Sequence, residues 1–140
     1  MLFRSEFFFT PGTDISEGYF NLETNCGGML LCRHQITQGV NGVLLEASDC
    51  DKIEIYHSEP ATIDPEKAEP TTWLLQYRLP IEILRQYAPV VKPASGVTWR
   101  ANLYKCGELT SHPHGLSWSV IGSEKFEFHF PEFFGTLEFK

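Results

Sequence analysis

No stretch of this chain approaches the roughly 20 consecutive apolar residues that a membrane-spanning helix needs. Basic residues are also scarce. Eleven Lys and Arg stand against 18 Asp and Glu, a formal net charge of −7. No basic cluster is present to track phosphates, which removes nucleic acid and an anionic membrane surface from the expected partners. Cysteines occur only at 26, 32, 50 and 106, and no two form Cys-x-x-Cys. They read as four free thiols of a reducing compartment. The opening "MLFRSEFFFTPG" carries no apolar core with a small-residue cleavage site, so a cytoplasmic chain is expected. Internal repeats and low-complexity tracts are absent as well, and helix signals are few.

What the chain does have is strand signal. Its 140 residues suit one domain, 1–140, large enough to bury a core without disulfides or metal. "SEFFFTPG" reads as an aromatic strand stopped by Pro11-Gly12. Residues 18–34 read as a hairpin. Phe20, Leu22 and Cys26 fall on one face, Asn21, Glu23 and Asn25 on the other, and a Gly27-Gly28 turn would set Cys26 opposite Met29. "GVLLEA" and "KIEIYH" are further strand candidates, and the proline-rich 58–70 segment reads as a solvated surface loop. In "TTWLLQYRLP", Trp73, Leu75, Tyr77 and Leu79 form an apolar face, with Trp73 expected in the core. Pro80 then opens the one short helix, over "PIEILRQYA".

The last third alternates again. Val97, Trp99, Ala101 and Leu103 point one way, and Thr98, Arg100, Asn102 and Tyr104 the other. "FEFHF" puts Phe126, Phe128 and Phe130 opposite Glu127 and His129, and "GTLEF" closes the chain. Many short strands with one helix give an all-β class, an antiparallel β-sandwich.

Several chemistries can be weighed on these residues. Cys106, His112 and His114 form C-x5-H-x-H, a set of good zinc ligands without an evident fourth. The same Cys and His residues could form an activated thiolate, but nothing local marks an oxyanion hole. Glu46, Asp49 and Asp51 offer oxygens for calcium, although the plainer reading is a solvated turn, and no cofactor is expected. Glu127, Glu132 and Glu138 are carboxylates for glycoside hydrolysis only if two stand across a cleft. The polar strand face points elsewhere. Arg100, Asn102 and Tyr104 supply planar donors and acceptors with an aromatic ring, as a sugar site requires. The loop "TSHPHGLSW" would overhang this face with His112, His114 and Trp118, and His129 would join them from the next strand.

"WRANLYKCG", then "PH", "SW" and "FHFPEFFGTLEF" resemble bacterial proteins similar to the family-9 carbohydrate-binding modules often attached to xylanases. "SEFFFTPG", "GYFNLETNCGGMLL" and "WLLQYRLPIEIL" fit the same order upstream. The resemblance implies a jelly-roll-like sandwich that binds sugar and has no catalytic machinery of its own. In such modules two tryptophans sandwich a terminal sugar, and one belongs where this chain has Phe128 or His129. Such domains also carry strands before the segment resembling "SEFFFTPG". A sandwich missing its N-terminal strands would expose core and edges, which a homodimer would complete.

The combined expectation is a non-catalytic module for plant-type oligosaccharide ends, such as xylo- or cello-oligosaccharides, in polysaccharide breakdown. Arg100, Asn102, Tyr104, His112, His114, Trp118 and His129 are its candidate site. The alternatives are a xylanase-like glycoside hydrolase, a metal-dependent hydrolase, and a degenerate module that keeps the fold without a ligand.

Overall fold

A computed structural model describes residues 3–125 and 127–140. Its centre is β1 (Arg4–Thr10), which pairs antiparallel with β2 (Tyr19–Asn25) on one side and β7 (Thr98–Cys106) on the other. β3 (Leu30–Gln35) and the two-residue β4 (Val43–Leu44) extend the sheet beyond β2. Beyond β7, the short strands β8 (Gly115–Ser117) and β9 (Gly135–Glu138) share one edge, pairing with different halves of β7. A second sheet holds only β5 (Glu54–His57) and β6 (Leu75–Arg78).

The run Phe7-Phe8-Phe9 shows why β1 is central. A strand buried on both faces reads as a continuous apolar run rather than as an alternation. Phe7 and Phe9 join one core with Phe20, Leu22, Cys32, Trp99 and Ala101. Ile55 of β5, Tyr77 of β6 and the helices α1 (Ala47–Cys50) and α2 (Ile81–Leu84) cover that core. Phe8 points to the opposite face, into a smaller cluster with Tyr19, Tyr104 and Phe134. There the cover is irregular chain at 119–125 and 127–134, which ends in a one-turn 3₁₀ helix at Pro131–Phe133. Both faces of β1 are thus covered by the chain itself.

Trp99 is core, as its strand period predicts. It is 3% exposed, stacks on Phe9 with centroids 5.5 Å apart, and its indole N–H donates to the Val91 carbonyl. Trp73 is not. It lies half-buried just before β6, outside both core clusters. The 80–88 helix forms over Ile81–Leu84, with Ile83 and Leu84 inward, but it has a partner. The "EASDCD" stretch turns into α1, held to the α2 region by the Asp49 carboxylate, which accepts from Tyr87 Oη at 2.8 Å.

The 18–34 hairpin is correct, but its turn is one residue out of the expected register. Thr24 pairs with Leu30, and the Asn25 N–H donates to Met29 O. The loop is therefore three residues, with Gly28 at φ 85° closing it, and the Asn25 side chain accepts from the amides of Gly27 and Met29. Cys26 consequently does not face Met29. "FEFHF" fails as a strand: residues 127–130 have no regular structure, and Phe126 lies outside the described residues. Phe128 stacks on Tyr104 and His129 packs on Phe8, so neighbouring side chains meet the same face.

Phe9 is 0% exposed and touches aromatic rings from three strands. Phe9→Ala is expected to cost about 3–5 kcal/mol, read as a lowered urea midpoint; a loss below 1 kcal/mol would contradict this packing.

Candidate functional site

Strand alternation carries Arg100, Asn102 and Tyr104 to one face of β7, beside Thr10, Phe8 and Glu6 of β1. The face they share is not open, because the chain at 119–125 and 127–134 lies over it. Asn102 is 0% exposed. Its Nδ2 donates to Ser119 O at 3.0 Å and its Oδ1 accepts from Ser119 N at 2.8 Å. The amide therefore mimics a backbone ladder where β8 has ended. The Arg100 guanidinium donates to Phe134 O, and Tyr104 Oη donates to Phe128 O at 3.1 Å. Three side chains expected to bind hydroxyls are instead bound to the chain's own carbonyls. The physical reason lies in the cover: an irregular segment lacks ladder partners, and its buried polar groups must be satisfied by side chains.

His129 stands where that cover stops. Its Nδ1 lies 2.7 Å from Tyr19 Oη and 3.3 Å from Gln35 Nε2. The bonds continue across the sheet. Gln35 Nε2 donates to Asn21 Oδ1 at 3.2 Å, and Asn21 Nδ2 donates to Glu23 Oε1 at 2.9 Å. Arg4 links Glu23, at 3.8 Å, to Glu6, at 3.4 Å. Arg33 projects from β3 onto the same face, directly across from Asn21. Its Nε is buried and has no hydrogen-bond partner among the described residues. Glu23, Arg33 and His129 are each half-buried, so the strip they frame is reached from solvent.

The strip is close to neutral in character despite its acids. Burial, and next the Glu23 charge, push the Glu6 carboxyl up to about 7. Burial holds His129 below the usual histidine range, so its ring is neutral at pH 7. None of Glu6, Glu23 or Arg33 was singled out from sequence as a site residue. Glu23 and Arg33 alternate with core residues as ordinary surface positions do, and only the sheet order brings them beside His129.

The remaining candidates lie elsewhere. The Trp118 N–H donates to Leu103 O, and its ring packs over Gly135, whose partner Ala101 belongs to the large core. Trp118 is therefore on the opposite side of the sheet from Asn102, and 55% of it is exposed. His112 and His114 line a separate cavity of about 300 Å³. His114 is engaged at both ring nitrogens, Nδ1 with His112 O and Nε2 with Lys105 Nζ, while Cys106 Sγ accepts from Arg4. Among the described residues no three His, Cys, Asp or Glu side chains converge to hold a metal. Asp49 is bound by Lys52 and Tyr87, Glu138 pairs with Lys140, and all four cysteines are free.

The family model described as "Carbohydrate-binding family 9" matches residues 4–139. A protein from Bacteroides uniformis ATCC 8492, solved by crystallography as "a putative carbohydrate-binding protein", is similar in structure with a TM-score of 0.74 and 31% sequence identity. The match covers 98% of this chain and 61% of that one, so this chain spans under two thirds of its length. Among curated proteins there is no match.

Two outcomes follow from the covered face. The raised Glu6 value means that the folded state holds the proton more tightly than the unfolded one, with its ordinary 4.5. Its contribution is fully present below about pH 4.5 and is lost as pH rises through about 7. Glu6→Gln should therefore raise stability at pH 8, by on the order of 2–3 kcal/mol, and change little at pH 4. Equal effects at both pH values would contradict the assignment. Asn102→Ala strands the Ser119 amide and carbonyl and should cost about 1–3 kcal/mol. Hydrogen exchange would report it first at Ser119; unchanged protection there would refute the backbone-mimic role.

Proposed function

We propose that this chain, which belongs to carbohydrate-binding family 9, is a non-catalytic module that binds a neutral saccharide on the strip between Glu23, Arg33 and His129. The observation that carries the reading is a half-open network of amide, carboxylate and imidazole groups framed by the half-buried Glu23, Arg33 and His129. Glu23 accepts, Arg33 donates, and the neutral His129 ring offers its edge, a mixture suited to hydroxyls that both donate and accept. Phe8 packs on that ring as apolar support, and Phe128 stacks on Tyr104.

The ligand class follows from the balance of charge. Arg4 and Arg33 stand with Glu23 and the Glu6 carboxyl on this face, and such a mixed set of donors and acceptors suits an uncharged polyol. Within that class, plant-type oligosaccharide ends, xylo- or cello-, are the reading the family suggests. Arg100, Asn102 and Tyr104 serve this site from beneath. They fix the cover that carries His129 and so set the edge of the strip. The one carboxylate pair that the strip brings together among the described residues is Glu6 and Glu23, and Glu6 is buried, 4% exposed, and paired with Arg4, so binding without hydrolysis is the proposed outcome.

Calorimetric titration with xylo- and cello-oligosaccharides tests this. Affinity in the millimolar to micromolar range is expected for a shallow site, with no reducing ends released. Arg33→Ala should weaken it by about tenfold or more, with His129→Ala close behind. Absence of binding at millimolar sugar by a folded sample would overturn the reading.

A further inference from the structure

The cavity of about 300 Å³ lies away from that strip. Phe3 and Lys105, which line it, fall on the same side of β1 and β7 as Phe7 and Trp99, by the two-residue period of a strand. Glu6, Glu23 and Arg33 occupy the other side. The cavity therefore opens at the end of the large core, where the β5–β6 sheet stops.

Its walls are two loops far apart in sequence. The 58–73 segment forms one and the 106–114 segment the other. The Glu66 carboxylate joins them, accepting from Ser111 N at 3.1 Å and Ser111 Oγ at 3.0 Å. Glu59 is tied to Lys67 at 2.6 Å, and its carbonyl is bound by the His57 ring. Lys105 lies over the Phe3 ring, 5.1 Å from its centre, and bonds His114. The loop read from sequence as mere solvation is thus shaped and braced around an empty space.

We propose that this cavity is a second saccharide site, independent of the first and sized for one or two sugar rings. Trp73 contributes an aromatic wall outside both cores, a position that burial in the fold does not explain. A ring C–H face stacks on indole, and the hydroxyls at its edge need flanking donors and acceptors. Glu59, Glu66, Ser111 and His112 supply them at the rim. Three carboxylates and two ammonium groups line the cavity, and Glu59 and Lys67 already neutralise each other. No strong net charge is left to select an ion. The volume lies at the small end of the range for ligand pockets. Cys26 at the cavity wall is 1% exposed, with its thiol pushed up by burial, which leaves it an inert wall rather than a nucleophile.

Amide NMR titration of the intact chain with glucose, xylose, galactose, mannose, cellobiose and xylobiose separates the two sites by position. The amides of Trp73, Ser111 and His112 should move with their own isotherm for at least one of these sugars. Trp73→Ala should weaken that isotherm roughly tenfold and leave the shifts around Arg33 and His129 intact; Arg33→Ala should do the reverse. His112→Ala, at an exposed residue, gives a second reading that folding cannot confound. The proposal is overturned if none of the six sugars moves the Trp73 set in a folded sample, or if both cavity variants leave every isotherm unchanged. Movement of the Trp73 set alone would support it while overturning the site at Arg33.

Discussion

The constraint on which the structure depends is the burial of β1 on both faces. Phe7 and Phe9 need one cover and Phe8 another. A single large sheet has only solvent on each side, so the chain must supply two further layers. One is regular: the β5–β6 pair and two short helices, closing over an aliphatic and aromatic core. The other is the irregular chain at 119–125 and 127–134. The asymmetry between these covers determines where polar side chains are consumed and where they remain available.

A regular layer satisfies its own backbone, and so the large core needs few polar partners from the sheet beneath. The Trp99 indole bonded to Val91 is one such link. An irregular cover cannot do this. It takes an amide from Asn102, a guanidinium from Arg100 and a hydroxyl from Tyr104. The small core beneath it, around Phe8, Tyr19, Tyr104 and Phe134, adds its apolar burial to these bonds. Polar residues on this face therefore do structural work up to the point where the cover ends, at His129. Beyond that point the same sheet face keeps its carboxylates and guanidinium accessible. The boundary between the two halves coincides with a bond between segments, His129 to Tyr19.

The parts of this arrangement that the sequence reveals are those governed by local period. Alternation in 98–106 separates Trp99 from Asn102, and the Gly-rich turn announces the β2–β3 hairpin. The turn differs from a two-residue one by a single residue, because Asn25 caps the loop with its own side chain and Gly28 takes the left-handed position. Non-local information is what fails. Trp73 continues the apolar face of Leu75 and Tyr77, yet the second sheet stops before it, and it passes from core to cavity wall. Trp118 follows a loop whose direction depends on where β8 ends against β7, and this placed it on the side opposite to the expected one. "FEFHF" alternates in type, yet its residues 127–130 pair with no strand among the described residues. Family likeness supplied the fold; it could not supply these three outcomes, because each depends on the ends of elements.

A site built on half of a face has an electrostatic consequence. The cover that excludes water from Tyr104 and His129 also lowers the local dielectric beside Glu6 and Glu23, which face each other across β1 and β2. Two carboxylates so placed do not both ionise readily. Glu6 keeps its proton to about neutral pH, and His129 stays neutral from the other direction. Glu23, bonded to Asn21 and paired with Arg4, shares this face with Arg33. The cover therefore does more than close a core. It discharges the groups at its edge, leaving a surface on which hydrogen bonds, rather than net charge, decide what binds.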